Sequence, residues 1–117
     1  MRDQPKCVFC DVEQLEVIAE NSLAFAIRDK FPVKPLHTLV LPRRHCRDVF
    51  ETTAAEREAM HALAQVCIAN LKTEDPTIKG VNYGSNIRAV AGQKIFHTHI
   101  HIIPRRAGDM DPPAARG

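Results

Sequence analysis

Residues 97–103 read His-Thr-His-Ile-His-Ile-Ile, in which a histidine occupies every second position up to His101 and a proline follows. On a β-strand, side chains at positions i, i+2 and i+4 share one face, with neighbours about 7 Å apart. We therefore expect a strand over 95–103 that places His97, His99 and His101 on one surface and ends at the proline. Three imidazoles on one face are typical of a metal site or a catalytic site, although a polar strand edge has the same pattern.

The rest of the chain predicts one long helix and four further strands. Thr53-Ala54-Ala55-Glu56 has the form of a capping box, and apolar residues then recur at helical spacing from Met60 to Leu71. This pattern predicts a helix over 54–71. Strands are predicted over 15–18, 23–27, 37–41 and 81–87. The short links between them indicate an α+β fold, an antiparallel sheet of about five strands with one long helix.

Length and composition indicate a single domain over residues 1–117. With 44% hydrophobic and 26% charged residues the chain is ordinary for a globular protein, and a net charge of +2 gives no reason to expect nucleic-acid binding. No apolar run approaches the roughly 20 residues of a membrane span, and the N-terminus lacks the apolar segment of a signal peptide. We therefore expect a cytoplasmic protein that binds neither nucleic acids nor membranes, with a partly mobile tail over 107–117.

The segment 97–103 resembles the signature of the histidine-triad (HIT) superfamily, His-φ-His-φ-His-φ-φ with φ apolar, except for threonine at the first φ. Its flanks, Ala91-Gly92-Gln93 and Pro104-Arg-Arg-Ala-Gly-Asp109, are similar to the bacterial branch that is like the diadenosine-polyphosphate hydrolases. Further segments in the family's order and spacing are Cys7-Val-Phe-Cys10, Arg28-Asp29, Phe31-Pro-Val33 and Pro35-Leu-His-Thr-Leu-Val-Leu-Pro-Arg-Arg-His45. The chain is therefore identified as a member of this superfamily, and the resemblance covers nearly its whole length.

The resemblance implies a nucleotide hydrolase that cleaves at the α-phosphate of dinucleoside polyphosphates or related nucleoside phosphate conjugates. The middle histidine of the triad is the family's nucleophile, so His99 is expected to form a covalent nucleotidyl-histidine intermediate. A neutral imidazole suits this role because one nitrogen is unprotonated, provided that the other donates its hydrogen to a backbone carbonyl or a similar acceptor. His101 and His37 resemble the family's phosphate-contacting histidines, which bind non-bridging oxygens during transfer.

The resemblance also implies which residues bind the nucleotide. Asp29 matches the group that binds the ribose hydroxyls, and a surface turn is the alternative interpretation of this carboxylate. Gly92 and Gln93 are expected to contact the phosphate. Asn86 matches the amide that hydrogen-bonds near the scissile bridge, whereas the spacing of Asn82 is wrong for this role.

The base of a purine nucleotide is expected to lie in an apolar slot. The three candidate residues for this slot are Phe9, Ile27 and Leu39. Core packing is the alternative interpretation for each of them, because large apolar side chains are most often buried.

The leaving group is the least constrained part of this interpretation. After Gly-Gln the family usually places serine or threonine, and this chain has Lys94, whose ammonium cannot replace a hydroxyl as both donor and acceptor. The alternatives are an adenosine phosphoramidase-type hydrolase, nucleotidyl transfer to a sugar phosphate, and a slow-turnover nucleotide-binding signalling module. The similar transferases carry glutamine as the third triad member, whereas this chain has His101, which favours water as the acceptor.

The N-terminal segment 1–12 contains a Cys-x-x-Cys pair that is a weak signal by itself. A redox pair would be expected in a βαβ context, which the sequence does not predict, and structural zinc needs two further ligands. The resemblance implies that two histidines complete a structural zinc site in some relatives. The four residues matching those positions are Cys7, Cys10, His45 and His97. Cys46, beside one of these histidines, is an alternative ligand.

Members of this superfamily are commonly two-fold dimers, so the resemblance implies a homodimer. The helix over 54–71 has an outer face of polar and small residues that permits close approach, and a five-stranded sheet has edges to cover. A monomer whose edges are protected by Lys79 and the prolines is the alternative.

Overall fold

A five-stranded antiparallel sheet with one long helix on one of its faces makes up the computed structural model, which describes residues 7–109. The strands are β1 (Val17–Glu20), β2 (Ala24–Arg28), β3 (Thr38–Pro42), β4 (Ile78–Gly84) and β5 (Ile100–Arg106), and the helix is α1 (Ala54–Glu74). The order across the sheet is β1-β2-β3-β5-β4, which confirms the predicted α+β fold. Residues 1–6 and 110–117, parts of the predicted metal-binding segment and mobile tail, lie outside the described residues.

The helix α1 begins at the predicted capping box. The Thr53 side chain accepts from the Glu56 backbone N–H, and the Glu56 carboxylate accepts from the Thr53 N–H at 2.8 Å. Arg44 donates to both oxygens of the same carboxylate at 2.9 Å, so the cap is also tied to the segment after β3. The helix continues to Glu74, three residues beyond the predicted end, because Asp75 supplies the C-cap and proline follows it.

The two faces of the sheet are covered by different parts of the chain. On one face, small and branched side chains of β2, β3 and β5 pack against α1. The buried residues of the resulting core cluster, including those of α1 itself and one of β4, are Ala24, Ala26, Val40, Ile100, Ile102, Met60, Leu63, Ala64, Cys67, Leu71 and Ile78. On the other face lies a second apolar cluster of Phe9, Phe25, Ile27, Leu39 and Leu41. Among residues 7–109, no helix is both long and apolar enough to cross a membrane.

The predicted strand over 95–103 is wrong at both ends, because β5 begins at Ile100 and continues through Pro104 to Arg106. Before β5, the backbone N–H of Thr98 donates to Cys46 O at 2.6 Å, so this part of the chain bonds to a loop. Pro104 is tolerated because the β3 ladder ends at Ile102, and β5 beyond it has a neighbour on one side only.

The predicted strand over 81–87 is also displaced, since β4 spans Ile78–Gly84. Ile78 is buried in the core beneath α1 and pairs with Arg106 at the C-terminal end of β5. The strand β4 therefore begins earlier in the chain than predicted. At the other end Ser85 leaves the ladder, and its hydroxyl donates to His99 O at 2.7 Å.

Candidate active site

The three predicted catalytic histidines lie together on the sheet face opposite α1. His101 alternates along β5 with the two isoleucines that pack against α1, and it pairs with Leu39 of β3. His37 immediately precedes β3, and its Nε2 lies 2.9 Å from His101 Nδ1. The rings of His99 and His101 are 5.0 Å apart between centroids. The structure therefore brings His37, His99 and His101 into one row.

The hydrogen bonds of His99 determine which of its nitrogens is available for attack. Its Nδ1 lies 2.7 Å from the backbone oxygen of His97, and a carbonyl oxygen only accepts. In the neutral ring the hydrogen is therefore on Nδ1, and Nε2 keeps its lone pair. His99 thus has the tautomer that the predicted nucleophile requires.

His37 and His101 form a chain of hydrogen bonds with one direction. The Val33 backbone N–H donates to His37 Nδ1 at 3.0 Å, so in the neutral ring the hydrogen of His37 is on Nε2. That Nε2–H donates to His101 Nδ1, which places the hydrogen of His101 on its own Nε2. His101 is therefore a donor toward any group bound beyond it.

Burial keeps both of these histidines neutral at neutral pH. Desolvation, reinforced by the neighbouring His99, lowers the pKa of His101 from 6.5 to about 4. Desolvation also lowers the pKa of His37, and this effect exceeds the opposing attraction of the Asp29 carboxylate. His101 accordingly offers a phosphate a neutral N–H.

A cavity of about 430 Å³ opens beside His37 and His101, within the range of small-molecule sites. The amides Asn82 and Asn86 both line it, together with Tyr83. Asn82 is already engaged, because its Oδ1 accepts from Arg105 Nε. Asn86 is exposed and its side chain lies next to Gly92. Its hydrogen bond near the scissile bridge stays a prediction.

The loop that carries the predicted phosphate contacts is held by its own glutamine. Gln93 is buried, its Oε1 accepts from Arg88 N at 2.7 Å, and its Nε2 donates to Arg47 O and Ile95 O. Both amide hydrogens are therefore used within the protein. Gly92 has a φ of +98° and donates to a carbonyl of the same turn. Phosphate contact by Gln93 and Gly92 stays a prediction.

The Asp29 carboxylate belongs to a turn and also lies beside His37. One oxygen accepts from the Phe31 N–H at 2.9 Å, as in an aspartate turn, and the other lies 3.5 Å from His37 Nε2. Asp29, His37 and His101 bring potential ligand atoms within 4.8 Å of one another. His37 Nε2 carries the ring hydrogen, however, so it has no lone pair for a metal ion. Ribose binding by Asp29 stays a prediction.

The three candidate residues for the base slot belong to the second apolar cluster. Phe9 is 6%, Ile27 5% and Leu39 4% exposed, so each is largely occupied by packing within the protein. The rings of Phe9 and His99 also make a T-shaped contact, at 5.3 Å between centroids. Phe9 therefore lies next to His99, and the use of these three residues by a base stays a prediction.

The four predicted metal ligands form one cluster in which every ligand atom lies within 4.8 Å of the others. The sulfurs of Cys7 and Cys10 are each 3.5 Å from His97 Nδ1, and Cys10 Sγ is 3.2 Å from His45 Nδ1. A tetrahedral zinc ion with ordinary Zn–S and Zn–N bonds separates sulfur from nitrogen by about 3.6 Å. The spacing of these side chains therefore fits zinc.

The hydrogen bond of His97 is also compatible with zinc binding. Its Nε2 donates to Pro42 O at 2.9 Å, which leaves Nδ1 unprotonated and directed at the cysteine sulfurs. Cys46, the alternative ligand, is outside the cluster formed by the described residues. His97 and His99 both precede β5 and both lie against the Phe9 ring, and the Nδ1 of His97 also faces the cysteine sulfurs.

Two residues that lie behind the site and hold its neighbouring loop were not predicted from the sequence. Asp48 is 3% exposed, and its carboxylate pairs with the guanidinium of Arg88, 40 positions later in the chain. An aspartate that accepts a hydrogen bond from the backbone N–H two residues later forms an aspartate turn. Asp48 forms such a turn with Phe50. No local pattern links it to Arg88, because the pair depends on tertiary structure.

Comparison with known proteins agrees with this geometry. The HIT domain family matches residues 12–108. An uncharacterised HIT-like protein of Mycoplasma genitalium is 43% identical over 104 residues, covering 85% of this chain and 72% of that protein. A Mycobacterium tuberculosis protein named AP-4-A phosphorylase is 30% identical over 113 residues, covering 92% of this chain and 57% of that protein. A HIT family protein from Bacillus anthracis superposes with a TM-score of 0.80 at 26% identity, covering 95% of this chain and 85% of that one. The chain therefore belongs to the HIT domain family.

Proposed function

We propose that this protein hydrolyses nucleotides at the α-phosphate through a covalent intermediate on His99. The observation that carries the proposal is the bond from His99 Nδ1 to His97 O, which leaves an unprotonated Nε2 beside the donor His101. A nucleophile and a neutral hydrogen-bond donor side by side are what transfer of a phosphoryl-linked group requires.

The reaction then has two displacement steps. His99 Nε2 forms a bond to the α-phosphorus while the bond from phosphorus to the leaving-group oxygen or nitrogen breaks. Water then attacks the same phosphorus, the nitrogen–phosphorus bond breaks, and the nucleoside monophosphate is released. One water molecule is consumed overall. The His101 N–H stabilises charge on a non-bridging oxygen in both steps, and His37 orients His101.

The acceptor and the leaving group decide between closely related activities. The relative named AP-4-A phosphorylase suggests dinucleoside polyphosphates as substrates and inorganic phosphate as a competing acceptor. With diadenosine tetraphosphate, transfer to water yields AMP and ATP, whereas transfer to phosphate yields ADP and ATP. An adenosine phosphoramidate tests the phosphoramidase alternative.

The experiment is a turnover assay on these two substrates, with and without inorganic phosphate, for wild type, His99→Ala and His61→Ala. His61 is an exposed residue of α1 and serves as the matched control. We expect AMP as product, a loss of several orders of magnitude in His99→Ala, and wild-type rates in His61→Ala. Substantial turnover by a folded His99→Ala protein contradicts the mechanism. Nucleotide binding without turnover by wild type supports the binding-module alternative instead.

We also propose a structural zinc ion held by the Cys7, Cys10, His45 and His97 side chains. When bound, zinc would cross-link the N-terminal segment to the residues before β5. The support is the donor set, its spacing and the free Nδ1 of His97. Protein prepared without chelator is expected to contain about one zinc per chain.

A variant pair tests whether these ligands hold the metal. Cys7→Ser combined with Cys10→Ser is expected to lose zinc and melt at a lower temperature. Cys46→Ala, a buried cysteine next to His45 but outside the cluster, is expected to keep its zinc. Metal analysis that finds no zinc in fully stable wild type rules this proposal out.

We further propose a homodimer that covers the β4 edge of the sheet. In the order of strands β4 is terminal, so the outer side of its backbone has no strand partner among the described residues. The exposed face of α1 carries Arg57, Glu58, His61, Gln65 and Ala69. Light scattering at micromolar concentration is expected to give twice the chain mass of 13.1 kDa. A mass of one chain would contradict the dimer.

A further inference from the structure

The segment 46–48 runs beside the two parts of the chain that carry the site. Cys46 O accepts from both the backbone N–H and the hydroxyl of Thr98, at 2.6 and 3.0 Å. Arg47 O accepts from Gln93 Nε2 at 2.6 Å. The Asp48 carboxylate then pairs with Arg88. Three consecutive residues thus hold the loop 88–93 and the residue next to His99.

Arg88 has a backbone conformation that side chains rarely adopt. Its φ is +77° and its ψ is +156°, a combination found almost only at glycine. The Arg88 N–H donates to Gln93 Oε1, and its carbonyl accepts from Ala91 N and Gln93 N. Such a conformation persists only where surrounding contacts enforce it. The contacts to Gln93 would also be available to a glycine, whereas the pairing with Asp48 needs the arginine side chain.

Asp48 is built into the fold as the partner of that side chain. It is almost fully buried, and a buried carboxylate needs hydrogen-bond donors. One oxygen accepts from the Phe50 N–H at 2.9 Å, and the other accepts from the Arg88 guanidinium. Removing Asp48 leaves Arg88 with the strained backbone and without this restraint.

We propose that Asp48 is a positioning residue that acts through Arg88 to keep the loop 88–93, and with it Asn86, in the active conformation. The loop conformation sets Asn86, because the Asn86 amide lies next to Gly92: a Cβ placed on Gly92 would be in van der Waals contact with Nδ2, at 3.4 Å. Asn86 in turn lines the cavity beside His101. The proposal rests on the proposed hydrolase function of the same site.

A double-mutant cycle separates this role from simple stabilisation. Asp48→Ala is expected to lower kcat about tenfold, because the loop relaxes once Arg88 loses its partner. Arg88→Gly is expected to keep turnover within about threefold of wild type, because glycine adopts the same backbone conformation without restraint. In the Arg88→Gly background, Asp48→Ala is then expected to change kcat less than about twofold.

Asp75 offers a matched control far from the loop. Its carboxylate also accepts from a backbone N–H two residues later and pairs with an arginine, Arg106. Asp75→Ala is expected to lower stability but to leave kcat unchanged. Amide NMR shifts of Asn86 and Gly92 are expected to move in Asp48→Ala and to stay in place in Asp75→Ala.

Two results overturn the proposal. One is an equal loss of kcat from Asp48→Ala in both backgrounds, which indicates that only the Phe50 contact matters. The other is an Asp48→Ala protein whose Asn86 and Gly92 resonances do not move. If wild type turns over no substrate, the proposed hydrolase function fails, and the NMR comparison still decides whether Asp48 holds the loop.

Discussion

Lowering the pH from 7 to 5 is expected to destabilise the folded protein through His101. Burial lowers the pKa of this imidazole to about 4, whereas the unfolded chain has the ordinary value of 6.5. Between these two values the unfolded state binds more protons than the folded state. Stability therefore rises with pH across this window and is lost as the pH falls below about 6.5.

The size of the effect follows from the two pKa values. At pH 5 nearly every unfolded chain carries a proton on His101, and few folded molecules do. The free energy of unfolding should therefore fall by about 2 kcal/mol between pH 7 and pH 5 from this group alone. The carboxylates of Glu56 and Asp75, with pKa values of about 2, act in a lower window. Their contribution is lost only as the pH falls below about 4.5.

Urea unfolding followed by circular dichroism at pH 7 and pH 5 measures this difference. His101→Gln keeps an acceptor for His37 and a donor toward the cavity but does not titrate, so its pH-dependent loss should be smaller by about 2 kcal/mol. His61→Gln removes an exposed histidine and should behave as wild type. Any contribution of a metal site to the pH dependence is the same in all three proteins and therefore cancels in the comparison. An equal loss in wild type and His101→Gln would refute the reasoning.

Three further substitutions test the helix cap, the core and the backbone at His99. Glu56→Ala removes the capping box and the partner of Arg44, so the free energy of unfolding in urea should fall by about 2 kcal/mol. Glu56→Gln keeps a hydrogen-bond acceptor and should lose less. Met60→Ala, at a 1% exposed core position, should cost about 2–5 kcal/mol, and a loss below 1 kcal/mol would contradict the packing described. Ser85→Ala removes the donor to His99 O, so kcat should fall several-fold with an unchanged melting temperature. Unaltered kcat would show that this bond does not position His99.

The helix was predicted closely because its signals are local. The capping box and the apolar spacing both lie within the segment that becomes α1, so nearby residues suffice to define it. The strand over 95–103 was predicted wrongly because alternation of side chains does not require a ladder. His97 and Thr98 satisfy the pattern with bonds to the cysteine cluster and to Cys46 O.

The histidines of the site could be predicted from the sequence, but the contacts that hold them in place could not. Family spacing identified His99, His101 and His37, and the structure brings them together. The tautomers could not be predicted, because they depend on which backbone group faces each nitrogen. The pair of Asp48 and Arg88 could not be predicted either, because it joins two loops and neither loop's sequence indicates a contact with the other.

The second apolar cluster has a practical consequence for recombinant production. One side of the sheet is covered by a 21-residue helix, whereas on the other side Phe9 is the buried member of the apolar cluster that comes from outside the strands. A truncation that begins at Asp11 would delete Phe9 and uncover Phe25, Ile27 and Leu41. Bare apolar surface of this kind promotes association between copies. Shortened versions should therefore precipitate during purification even though every strand and the helix are intact.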